Sequence, residues 1–282
     1  MHEKQDKFVQ ILITGAGGFI GGGLFEKLRR FNPTGVVSHL NESIPNGDFI
    51  EADLREERRV KEIFDKYKPD TVFHLAGFPS PQNNEKNPQF AHDTNIKITE
   101  NVLKHLSAGA RIIFPSTDKV FDGSDPDPDE EARVNPTWLY ASLKQQCEEL
   151  IKKKTKRFHI VRLPIVHSLG KPVGASRGSF IDKILIDLKA GKEVRVFKNV
   201  QRCFLRVEEL FDVFEIFIND TRYGTYHVGT KVMSYYDRLC ALCDELGIDW
   251  KDKIIPVDGN IDPLVQNLNT DKLKNTFGII LT

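Results

Sequence analysis

The chain has 282 residues, enough for one large domain or two modest ones around a real core. Forty Lys and Arg balance forty Asp and Glu, so nothing in the overall charge points to nucleic acid or to an anionic membrane surface. No apolar run approaches the roughly 20 residues of a membrane span, and the polar start, MHEKQDKFVQ, lacks the apolar stretch of a signal peptide. The expectation is a cytoplasmic protein that neither enters a membrane nor binds nucleic acid.

FVQILIT reads as the first strand, and it runs directly into the turn and helix of TGAGGFIGGGLFEKL, whose apolar stripe is Ile20, Leu24 and Leu28. Gly15, Gly18 and Gly21 permit a tight turn and let a pyrophosphate approach the backbone. The N–H groups and partial positive charge of the following helix would then receive the anion. No Gly-Lys-Ser/Thr follows, so this is not a P-loop.

Further strands are expected in GVVSHL, TVFHLAG, RIIFPST and FHIVRLP. Between them lie helices striped by Val60, Ile63, Phe64 and Tyr67, by Val102, Leu103 and Leu106, and by Leu143, Cys147 and Ile151. Strand alternating with helix predicts an α/β chain, a Rossmann-type doubly wound parallel sheet covered on both faces. Ligands then bind beyond the carboxyl ends of the strands. After Leu163 the rhythm changes to helices in SFIDKILIDLKAGK and VEELFDVFEIFIND mixed with short strands in EVRVFK and TYHVGT. Residues 1–163 are therefore expected to bind the dinucleotide. Residues 164–282 should be mainly a smaller substrate-binding part, with some elements completing the sheet.

Between Asp122 and Pro136, acids and prolines forbid regular structure and predict a loop, mobile without substrate, that leads into the next helix. Cys240 and Cys243 share a helical pattern, and no second cysteine pair completes a zinc site. His74 and His227 sit in strand-like runs as core or near-cofactor residues, and no metal is expected. WLYASLKQQ puts Tyr140 and Lys144 four residues apart on one helix face; by itself that spacing describes a solvated face as well as a catalytic pair.

Taken together, the motifs TGAGGFIG, EADL, HLAG, NIKITENVL, STDKVFDG, YASLK, VRLPIV and GTYHVG resemble the extended short-chain dehydrogenase/reductase superfamily. Within it the chain is most similar to dTDP-4-dehydrorhamnose reductases and their sugar-nucleotide relatives. The resemblance implies a nicotinamide cofactor held by Gly15, Gly18, Phe19, Ile20 and Gly21. It implies adenine contacts from Asp53 and Leu54, a segment under the cofactor at Leu75, Ala76 and Gly77, and nicotinamide contacts from Pro164 and Ile165. Tyr140 and Lys144 become the catalytic pair, with Thr117 holding the substrate oxygen and Ser116 as its fallback. Asp118, Lys119 and Arg202 become substrate contacts, Arg202 through the substrate phosphate. A homodimer is among the expected assemblies.

Reducing a carbonyl needs a hydride and a proton. A tyrosine near pKa 10 serves poorly at neutral pH unless a nearby cation such as Lys144 stabilises its phenolate. Dehydratases of this superfamily carry a glutamate where this chain has Lys119, so dehydration is disfavoured. The reductases carry an aromatic residue there and a tryptophan near Ile165, so the sugar is undetermined. At the end of the second strand Ser38, His39 and Asn41 offer neither acid nor arginine, which tilts the choice between NAD and NADP slightly to NADP. Three readings follow: a keto-sugar nucleotide reductase, an epimerase with retained NAD, or a nucleotide-binding regulatory protein like the methionine adenosyltransferase regulatory subunit.

Overall fold

The computed structural model describes residues 9–41, 44, 46–169 and 178–281. The polar segment 1–8, read above for targeting, lies outside the described residues. The chain begins β1 (Ile11–Thr14), α1 (Phe19–Lys27), β2 (Thr34–Val37), β3 (Asp48–Glu51), α2 (Glu57–Tyr67) and β4 (Thr71–His74). It continues through α3 (Pro81–Lys86), α4 (Pro88–His92), a π-helical turn at Asp93–Lys97 and α5 (Ile98–His105). Then come β5 (Arg111–Thr117), α6 (Leu139–Lys154), β6 (Phe158–Leu163), β7 (Ile165–His167), α7 (Phe180–Lys189), β8 (Val194–Phe197) and β9 (Gln201–Arg202). The last elements are β10 (Phe204–Arg206), α8 (Val207–Asn219), β11 (Gly224–His227), β12 (Met233–Ser234), α9 (Tyr235–Leu246), β13 (Ile254–Val257), β14 (Val265–Gln266) and α10 (Asp271–Phe277).

Seven strands, all parallel, form the central sheet in the order β11-β6-β5-β4-β1-β2-β3. β1, β2 and β4 are buried along their whole length, as continuous apolar strands covered on both faces must be. Leu24 and Phe25 of α1 pack with Phe214 and Phe217 of α8 on one face. Val60 of α2, Val102 of α5 and Leu143 and Cys147 of α6 pack on the other. The direction of winding reverses between β1 and β4, which opens a crevice above their carboxyl ends. β11 joins the sheet beside β6, although it follows residue 164 in sequence. A separate cluster of Ile181, Leu185, Leu239 and Leu242 binds α7 to α9.

Two local expectations need correction. The edge strand β3 was not anticipated, because Asp48 and Glu51 bracket only two apolar residues and give no clear period. The helix striped by Val102, Leu103 and Leu106 does not begin within NIKITENVL but arrives from α4 through the π turn, inside which Asn95 lies. The side chain of Asn95 accepts the Phe78 N–H at 3.2 Å and donates to Ala91 O at 2.7 Å, tying the turn to the chain leaving β4.

Candidate active site

The glycine turn is built from three positions with different tasks. Gly15 has φ +69°, and a Cβ there would stand 2.7 Å from Ala76 N. A Cβ at Gly21 would stand 2.2 Å from Gly15 O, so these two glycines let the turn close on itself and on the exit of β4. A Cβ on Gly18 would meet only Gly15 O, at 3.2 Å, and would otherwise project into open space ahead of α1. Gly18 N–H is used by Gly15 O at 2.9 Å, while among the described residues no acceptor lies against the N–H groups of Phe19 and Ile20. Open space before unpartnered helix donors fits a dinucleotide pyrophosphate.

A buried chain of hydrogen bonds fixes this turn. Thr14 Oγ1 accepts the N–H groups of Leu75 and Ala76, each at 3.1 Å, and so turns its own hydrogen toward His74 Nδ1 at 2.9 Å. His74 Nε2 then donates to Thr99 Oγ1 at 3.0 Å, and Thr99 donates to Asn95 O at 2.6 Å. Burial drives the His74 pKa down to about 3, so the ring stays neutral in the one tautomer this order allows. His74 is thus a strut under the chain leaving β4, for which strand patterning alone offered no specific role.

Tyr140 and Lys144 lie on the face of α6 turned to the sheet, and Glu148 continues that face one turn further. Glu148 receives Arg162 of β6 through Nε at 3.2 Å and Nη2 at 2.9 Å, a buried two-point pair that fixes the helix against the sheet. The Thr117 hydroxyl at the end of β5 donates to Asp118 Oδ1 at 3.2 Å and accepts the Lys119 N–H at 3.3 Å, beside the Tyr140 phenol. Burial raises the phenol's pKa above its ordinary value, and the Asp118 carboxyl adds to the rise while Thr117 opposes it. The expected tuning by Lys144 is not seen. Its ammonium donates to Pro115 O at 2.9 Å and lies 4.4 Å over the Phe114 ring, and burial lowers its pKa. Ser116 Oγ is buried and has no hydrogen-bond partner among the described residues.

The remaining expected cofactor residues rim the same strand ends. Leu54 is buried, whereas Asp53 is half-buried and takes Arg55 Nε at 3.0 Å and Nη2 at 2.6 Å. That hydrogen bonding holds the Asp53 carboxyl below its ordinary range. Leu75 and Ala76 are half-buried and Gly77 is exposed where β4 ends, while buried Pro164 and half-buried Ile165 link β6 to β7. At the end of β2, where Ser38, His39 and Asn41 offer no acid, Glu51 of β3 reaches over and accepts Leu40 N–H at 3.0 Å.

Of the expected substrate contacts, Asp118 is buried next to Thr117, and burial raises its pKa against the opposing pull of Lys119 and Arg202. Lys119 is half-buried. Arg202 is neither a surface residue nor a free hook. It is buried and donates to Gln201 O at 2.6 Å, Leu264 O at 2.9 Å and Pro263 O at 2.9 Å. The acidic loop is also anchored, against expectation. Asp127 accepts Asn267 and Asn269, each at 2.8 Å, Glu130 accepts His227 N–H at 2.8 Å, and Asn135 N–H reaches Val120 O at 2.8 Å. Its carboxylates meet donors from distant segments, which local composition does not reveal. Among the described residues no cluster of His, Cys, Asp and Glu could hold a metal ion, and no helix is long and apolar enough to cross a membrane.

A doubly wound sheet with a glycine turn at its first crossover and a Tyr and Lys one helical turn apart belongs to the extended short-chain dehydrogenase/reductase superfamily. More narrowly, the chain belongs to the family described as the RmlD substrate binding domain, whose model matches residues 9–281. Among curated relatives, the spore coat polysaccharide biosynthesis protein SpsK of Bacillus subtilis is 28% identical over 245 residues, covering 85% of this chain and 80% of SpsK. Methionine adenosyltransferase 2 subunit beta of Bos taurus is 25% identical over 247 residues, covering 85% and 72%. Among solved structures, the dTDP-4-dehydrorhamnose reductase of Bacillus anthracis in complex with NADP superposes with a TM-score of 0.81 at 21% identity, covering 97% of this chain and 94% of the other.

Proposed function

We propose that the chain is a cytoplasmic NAD(P)H-dependent reductase of a nucleotide-activated keto-sugar, with Tyr140 as the proton donor. The observation that carries this reading is that Tyr140 and Lys144 share the α6 face turned to the carboxyl end of β5, where Lys144 donates to Pro115 O at 2.9 Å and Thr117 and Asp118 act on the phenol. Gly15, Gly18, Phe19, Ile20 and Gly21 would hold the dinucleotide, whose reduced nicotinamide supplies the hydride when bound. Thr117 would hold the substrate carbonyl oxygen. As that oxygen gains negative charge it takes the phenolic proton of Tyr140, leaving a phenolate that solvent reprotonates. A phenol whose pKa burial has raised is fully protonated at neutral pH, which suits the reducing direction. Lys144 has the reach of a ribose ligand, since its ammonium now rests on a neutral carbonyl and a ring rather than on a carboxylate.

Asp118 and Lys119 would flank the sugar, and Arg202 would act by shaping the wall near Pro263 as much as by touching a phosphate. A lysine at position 119 cannot eliminate water as a carboxylate does, so no 4-keto-6-deoxy product should form from a nucleotide hexose. The test is a screen of keto-sugar nucleotides with NADPH and NADH, followed by absorbance. Tyr140→Phe should bind cofactor as the wild type does and lose about 10²- to 10⁴-fold in turnover. Near-wild-type turnover by that variant would remove Tyr140 from the chemistry.

A second reading is supported by the similarity to methionine adenosyltransferase 2 subunit beta, whose name describes a subunit rather than a reductase. In that case the chain would bind a dinucleotide and turn over nothing. Cofactor binding with no turnover across the whole screen would select it, whereas retained NAD without net consumption would select an epimerase.

A further inference from the structure

Dinucleotide folds commonly distinguish NAD from NADP at the end of the second strand, where an acid takes the adenosine 2′-hydroxyl or an arginine takes the 2′-phosphate. From Ser38 to Gly47 the sequence contains neither an arginine nor a lysine, and its one acid, Glu42, lies outside the described residues. Among the described residues, a carboxylate reaches this place from the neighbouring strand. Val37, the last residue of β2, is paired in register with Glu51, the last residue of β3. Glu51 Oε2 accepts Leu40 N–H at 3.0 Å, which holds the carboxylate against the segment leaving β2. Its other oxygen, Oε1, faces His39 Nδ1 at 3.4 Å, and that nitrogen also lies 3.1 Å from Ser38 O. Val37 adjoins the glycine turn, since a Cβ on Gly17 would meet Val37 Cγ1 at 3.5 Å. Arg55, the cation that follows β3, is committed to Asp53.

We propose that Glu51, supplied by β3 rather than β2, selects NAD(H) over NADP(H) by accepting the adenosine 2′-hydroxyl and repelling a 2′-phosphate. This rests on the dinucleotide reading of the glycine turn. An ionised carboxylate offers only acceptors, so it can pair with a hydroxyl but not with a phosphate dianion. The tilt toward NADP drawn from β2 alone loses its ground, because a carboxylate does stand there. At a partly exposed site, repulsion between a single charge and a dianion amounts to roughly tenfold in affinity.

The test is fluorescence titration of the whole protein with NADH and with NADPH, at low and at high salt, for wild type and Glu51→Gln. Glutamine keeps an oxygen for Leu40 N–H and removes only the charge. The wild type should bind NADH about tenfold more tightly, Glu51→Gln should bring the ratio close to one, and added salt should narrow the wild-type gap. A wild type that binds NADPH equally well or better, or a Glu51→Gln ratio equal to wild type, overturns the assignment while leaving the dinucleotide site intact. Binding of neither cofactor overturns both. Thermal unfolding of the variant at the wild-type midpoint confirms that an exposed change has not altered the fold.

Discussion

Replacing His159 by phenylalanine should stabilise the protein, and should do so increasingly as the solution is acidified. The ring is fully buried on β6, stacked 4.3 Å from Phe217 at an 8° interplanar angle, with Tyr223 and Tyr226 around it. Neither ring nitrogen has a hydrogen-bond partner among the described residues, and Asp220 Oδ1 stands 3.9 Å away, beyond hydrogen-bond range. Burial pulls the pKa down from 6.5 to about 4, with Asp220 opposing the fall. The native state therefore stays neutral while the unfolded chain protonates. Stability from this residue is complete above pH 6.5 and is lost as pH falls toward 4. At about pH 5 the loss is roughly 2 kcal/mol. Phenylalanine cannot titrate and leaves no polar atom stranded, which adds about 1 kcal/mol near neutrality. Urea unfolding at about pH 7.5 and about pH 5 should show the variant's advantage growing by roughly 2 kcal/mol at constant m-value. Parallel losses in the two proteins would refute the reasoning. His74 and His227, each depressed to about 3 mainly by burial, add losses of the same sign in both proteins.

Two further outcomes can be measured without a known substrate. Gly18 has φ −83° and open space beside it, so Gly18→Val should abolish dinucleotide binding while changing stability by less than about 1 kcal/mol. Gly21→Val, which drives a Cβ into Gly15 O, should instead cost roughly 3 kcal/mol or more; equal stability of the two variants would contradict the division of tasks in the turn. In hydrogen exchange, the amides of Asn135, His227 and Asn269 should be protected with or without cofactor, because Val120 O, Glu130 and Pro128 O hold them. Unprotected rates without ligand would restore the mobile loop.

What the sequence determined by itself was whatever a short stretch of chain decides for itself. The parallel sheet follows from apolar runs alternating with helical periods, and the turn follows from glycines between a strand and a helix. Tyr140 and Lys144 share a face because a helix returns to the same side every four residues. Those signals are local dihedral preferences and periodicities, so they survive without tertiary contacts. Only the tertiary structure decided which distant donor meets which acceptor. Arg202 spends its guanidinium on carbonyls some 60 residues away, and Asp127 meets asparagines 140 and 142 residues distant. Lys144 turns to Pro115 O rather than to the phenol beside it. Glu51 reaches the end of β2 because parallel register sets it opposite Val37, not because of any pattern in its own four-residue strand. Pairing across a sheet or between loops depends on where the backbone finally lies. Buried polar groups must then find whatever partner that arrangement brings within reach.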